Sequence, residues 1–101
     1  MSSPEELRTK IAELWKQSQP IVRQRLEVLA RAQHSIQSGT FSESVREEAI
    51  RQAHNLAGSL GMFGFPEASR CASEIEQLLE TKDPSLDALG KLLQDLEQQI
   101  T

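Results

Sequence analysis

Few residues in this chain of 101 could do chemistry: two histidines, one cysteine and a scatter of carboxylates. One histidine stands in Arg51-Gln52-Ala53-His54-Asn55-Leu56-Ala57-Gly58-Ser59-Leu60-Gly61-Met62-Phe63-Gly64. A neutral imidazole is a nucleophile near pH 7, since an unperturbed histidine has a pKa of about 6.5. It can accept a group from a partner that brings the activated donor, provided the ring is positioned and the space around it is free. The stretch meets both needs. Val45, Ala49, Ala53, Leu56 and Leu60 recur at threes and fours and define the inward face of a helix, with His54 off that ridge. On the histidine's own face lie Ile50, Arg51, Ala57 and Gly58, with Gly61 one turn further on. Glycine inside a helix costs about 0.8–1 kcal/mol relative to alanine. Two of them beside an outward histidine imply an open surface on which a partner docks.

Other chemistries find less support. His34, between Gln33 and Ser35 on a helix flank, has no such setting and reads as a surface residue. Bundle metal sites use Glu-x-x-His pairs, but Arg51 and Arg31 stand three residues before the two histidines. Two histidines and one cysteine do not fill a zinc shell without distant carboxylates. No serine–base–acid set can be named. Cys71 is alone, so it forms no intramolecular disulfide, and it falls on a face expected to be buried. The chain does not read as a self-sufficient enzyme, and no metal or cofactor of its own is expected.

The net charge of -4 and the lack of a basic stripe argue against nucleic acid. Arg23, Arg25 and Arg31 gather locally, but Glu27 interrupts them, as on a solvated helix face. No stretch has the length of a signal peptide or a membrane span, so a cytoplasmic protein is expected.

The elements that must hold His54 are all helical. No segment alternates at period two for long enough to make a strand. All four prolines read as helix starts, where a missing N–H costs nothing. Ser3-Pro4-Glu5-Glu6 forms a capping box, and its helix carries Leu7, Ile11, Leu14 and Trp15 on one side and runs to about Gln17. Pro20 opens the second helix, with Val22, Leu26, Leu29, Ala32 and Ile36 inward and Gly39 as its stop. Thr40 or Ser42 caps the third, which bears His54 and runs to about Gly61. Pro66 opens the fourth, with Ala68, Cys71, Ala72, Ile75, Leu78 and Leu79 inward. Asp83-Pro84 starts the fifth, with Leu86, Leu89, Leu93, Leu96 and Ile100 inward. Short connections favour antiparallel neighbours. The expected fold is one domain over residues 1–101: an all-α, antiparallel up-and-down four-helix bundle with an additional short N-terminal helix covering one end or side.

At its central stretch the sequence resembles a histidine-containing phosphotransfer (HPt) domain. That family has Ala-His-x-Leu-Lys-Gly on a helix, then a glycine ten residues after the histidine, then a helix paired with the first as a hairpin. This chain has Ala53-His54-Asn55-Leu56-Ala57-Gly58, with Gly64 at the matching distance. The resemblance implies that His54 accepts a phosphoryl group on Nε2 from the aspartyl phosphate of a response-regulator receiver domain, then returns it to the same or another receiver. A hybrid histidine kinase is a further partner it implies. The receiver brings the acidic pocket and the Mg²⁺. Gly58 would let its loops reach the ring, Leu56 would anchor the motif in the core, and Gly64 would serve the turn.

One position departs from the family. Three residues after the histidine, where lysine is usual, stands Ala57. Arg51 one turn earlier is the expected substitute, with Arg70 on the facing helix as a second source of charge. Reflection about the turn places Ser69, Ser73 and Gln77 across from His54, as candidate partners of the ring or the phosphoryl oxygens. The alternatives are a bundle that docks a receiver or kinase without carrying phosphate, for which Ala57 speaks, and a structural bundle with no site. A monomer is expected, each helix having one strongly apolar face.

Overall fold

A computed structural model describes residues 3–101, and among these every regular element is an α-helix. The helices are α1 (Pro4–Ser38), α2 (Glu43–Met62), α3 (Pro66–Glu80) and α4 (Leu86–Ile100). They form a bundle in which α2 and α3 pack most extensively, α4 lies against α3, and α1 contacts both α2 and α4. The shared core is aliphatic, with Leu29, Leu56, Leu60, Ile75, Leu79, Leu89 and Leu96 fully buried.

The separate short N-terminal helix is not there. The two segments expected on either side of Pro20 are one helix of 35 residues, with Pro20 inside it. A proline within a helix removes one hydrogen bond and crowds the carbonyl four residues back, which costs about 3 kcal/mol. Two features offset this. The ridge Trp15, Ser18, Val22, Leu26, Leu29 keeps its spacing of threes and fours straight through the proline, and Pro20 itself faces solvent. Trp15 also holds the first segment onto the bundle end: its ring lies 5.5 Å from that of Phe63 and 4.7 Å from that of Phe65. At a rise of 1.5 Å per residue, 35 residues span about 52 Å, so α1 sets the 52 Å long axis of a body only 19 Å across. Its first turns therefore project past the other helices. Leu7, Ile11 and Leu14, the apolar side of this segment, are 54%, 37% and 53% exposed.

Ends elsewhere follow local chemistry. Ser42, not Thr40, caps α2 by accepting a hydrogen bond from the Val45 N–H. Pro66 does open α3. Pro84 does not open α4: Ser85 is the cap, accepting from the Ala88 N–H at 3.2 Å, and the helix starts at Leu86. No helix among the described residues is long and apolar enough to cross a membrane.

Candidate functional site

The site is built on α2. Ala49, Ala53, Leu56 and Leu60 are fully buried, so the helical period fixes which side faces the core. His54 is thereby turned outward, its side chain 73% exposed and open to a macromolecular partner.

The α2–α3 turn sets what lies across from the ring. Phe65 N–H bonds the Leu60 carbonyl at 2.9 Å and Gly64 N–H bonds that of Gly61 at 3.2 Å. This is the Schellman pattern, and it places Gly64 in the left-handed region with φ +86°. A side chain there would crowd the following carbonyl. Gly64→Ala is therefore expected to destabilise the bundle by about 1–2 kcal/mol, measured by denaturant unfolding, although a Cβ would meet no neighbouring atom.

Beyond the turn, α2 and α3 run in opposite directions. Near it, Ser69 Oγ donates to the Ala57 carbonyl at 2.7 Å. At the far end, Arg46 of α2 donates to the carbonyls of Leu79, Thr81 and Lys82, which closes the C-terminus of α3 with a cation. Between these ties, Glu76 Oε1 lies 3.2 Å from His54 Nδ1. A glutamate carboxylate only accepts, so a neutral ring in this contact donates through Nδ1–H and carries its lone pair on Nε2. The contact with Glu76 favours the neutral tautomer that leaves Nε2 unprotonated.

The residues expected around His54 divide in the structure. Gly58 is exposed, and a Cβ built on it would meet nothing within 4 Å. Gly61 serves another purpose: its Cβ would come 3.3 Å from Ser69 Oγ, so this glycine admits α3 rather than a docking partner. Ile50 and Ala57 are half-buried and pack on the core, so neither is the freely exposed contact anticipated. Arg51 is exposed and its guanidinium is paired with Glu48, on the side of α2 leading away from His54. Arg70 pairs with Glu67 and Glu74 and lines the groove between α3 and α4. Hydrogen bonding to Glu67, then the charges of Glu67 and Glu74, hold its pKa above the usual arginine value.

Of the three side chains proposed by reflection, Ser69 spends its hydroxyl on the Ala57 carbonyl and Gln77 faces the α3–α4 groove. Ser73 is half-buried one turn before Glu76. The ring's partner is Glu76, which reflection passed over. Cys71 is free and buried, and desolvation raises the pKa of its thiol, in keeping with a packing role. His34 is exposed on α1. Among the described residues no cluster of three or more histidine, cysteine or acidic side chains could hold a metal ion.

On the other flank of His54, a cleft of about 390 Å³ is lined by Arg25 of α1 and by His54, Asn55, Gly58, Ser59 and Met62 of α2. The imidazole thus meets a carboxylate from α3 on one flank and shares a cleft with Arg25 of α1 on the other.

The family model described as Hpt domain matches residues 5–101, nearly the whole chain. No curated protein and no solved structure matches it.

Proposed function

We infer the function from one premise: the chain belongs to the Hpt domain family. At family level this means phosphotransfer in two-component signalling, by phosphocarrier modules that meet receiver domains and kinases and are not classical enzymes. Our reading is that His54 is the phosphoryl acceptor, charged by a receiver aspartyl phosphate and discharged to a receiver. The observation that carries it is the exposed ring held by Glu76 with Nε2 free to attack.

In the transfer, His54 Nε2 forms a bond to phosphorus as the bond from phosphorus to the aspartyl oxygen breaks. The aspartate leaves as carboxylate, and the ring becomes an imidazolium that keeps its Nδ1 proton. No proton has to move. Glu76 accepts that Nδ1–H throughout and faces the positive charge as it develops, which is electrostatic stabilisation already in place. Mg²⁺ would come from the receiver, and this chain would contribute the positioned nucleophile and the surface. A cytoplasmic location and a monomeric state accompany this reading.

The test is to mix the chain with a phosphorylated receiver domain and follow phosphoryl loss from one and gain on the other. Glu76→Ala is expected to slow the gain about 3- to 10-fold, because a charge-assisted hydrogen bond at an exposed site is worth on the order of 1 kcal/mol. Its ¹⁵N spectrum should show the Nε2–H tautomer rising. A receiver that binds the wild-type chain yet leaves no phosphate on it would make the protein a docking adaptor instead.

A further inference from the structure

We propose that Arg25, reaching across from α1, binds the phosphoryl oxygens of phosphorylated His54 in the cleft above Gly58; this rests on His54 being the acceptor. A phosphoryl group adds close to two negative charges, and something near the ring must answer them. On α2 the positions one turn beyond His54 are alanine and glycine, which bring none. The arginines expected to serve are engaged elsewhere. Arg51 is paired with Glu48, and Arg70 with Glu67 and Glu74.

Arg25 differs from these in its partner. Its Nη1 donates to Ser59 Oγ at 3.2 Å, and among the described residues it forms no ion pair. A hydroxyl leaves the cationic charge uncompensated and most of the guanidinium's five N–H donors unspent. The half-buried stem fixes where the group emerges, and the bond to Ser59 lays it on the surface of α2.

From there Arg25 shares one cleft with the ring, together with Asn55. His54 and Ser59 are five residues apart, about 7.5 Å along the helix axis and about 140° around it, and the shared cleft joins Arg25 to the ring across that interval. Gly58 places no side chain between them, and a Cβ there would find open space. The guanidinium's planar fork suits two phosphoryl oxygens at once. Glu76 at Nδ1 and Arg25 beside the phosphoryl group then complement the two charges of a phosphoimidazolium from opposite flanks. The cation missing from the turn of α2 that follows His54 is supplied by α1.

The experiment phosphorylates wild type, Arg25→Gln, Arg25→Lys and Arg23→Gln with phosphoramidate and follows the ³¹P shift of each phosphohistidine against pH. Arg23→Gln removes the same net charge from an exposed position of α1 outside the cleft. A nearby cation favours the dianionic phosphoryl form, so its loss raises the titration midpoint. Arg25→Gln is expected to raise it by about half a unit at low salt, Arg25→Lys to restore most of that shift, and Arg23→Gln to match wild type. A role for Arg25 in folding alone would alter the unfolding midpoint and leave the ³¹P titration where it was. Coincident midpoints for wild type and Arg25→Gln overturn the proposal while leaving His54 as acceptor. Absence of phosphate from the wild-type chain removes both.

Discussion

Replacing His54 with glutamine is expected to abolish phosphoryl acceptance from phosphoramidate, while His34→Gln leaves it at the wild-type rate. The contrast is large because the two rings stand in different settings. Both histidines are exposed, but only His54 has a carboxylate on Nδ1 to leave Nε2 as the free nucleophile, and only His54 opens onto a cleft with an unpaired guanidinium. Glutamine keeps a polar side chain on an exposed helix position, so the bundle should fold as before. Phosphate would be read by intact mass at neutral pH, where phosphohistidine survives. Equal phosphate on the His54→Gln chain would mean that another group is the acceptor.

Gly58→Gln should separate stability from transfer. Gly58 is an exposed helix-interior glycine without positive φ, and the space beyond its Cα is empty. Glutamine there is expected to stabilise the bundle by about 0.5 kcal/mol through helix propensity. It also sets a long side chain on the floor of the cleft, one turn from the reacting nitrogen. Displacing a docked partner by about 1 Å can cost 100-fold in rate, so transfer from a phosphorylated receiver should fall about 100-fold. Phosphoramidate, which needs no protein surface, should react within about threefold of wild type. Gain of stability with loss of macromolecular transfer is a pairing that a packing glycine would not give. Gly61 would not behave this way, since its Cβ meets Ser69 of α3.

Much of this was legible in the chain, and where it was not the reason is geometric. The face of α2 that bears His54 could be read directly, because one helix carries its own period and Leu56 and Leu60 anchor its phase. Gly64 was placed at the turn by the resemblance, and its left-handed φ is the physical reason that the position holds glycine. Glu76 was missed because the register of two helices depends on how the turn closes. Reflection led to Ser73 and Gln77, whereas a helix rotates 100° per residue and turns Gln77 toward α4 while presenting Glu76 to the ring. Arg25 was hidden for a related reason. As a string of letters it belongs with Arg23 and Arg31 in an interrupted basic cluster, and only the packing of α1 on α2 takes it to Ser59. Pro20 misled because proline suits a helix start, yet the ridge on both sides is in phase and Trp15 secures the earlier segment against Phe63 and Phe65. At Asp83-Pro84-Ser85, the serine hydroxyl proved the cap.

The most direct measurement of the central claim is a chase. The chain is phosphorylated with phosphoramidate, freed of donor, digested at neutral pH to place the label, and in parallel mixed with an unphosphorylated receiver domain and Mg²⁺. The account predicts acid-labile phosphate on the peptide that contains His54, and its passage to the receiver's aspartate with loss from the chain. Phosphate on a different residue, or phosphate on His54 that no receiver can draw off, would contradict it.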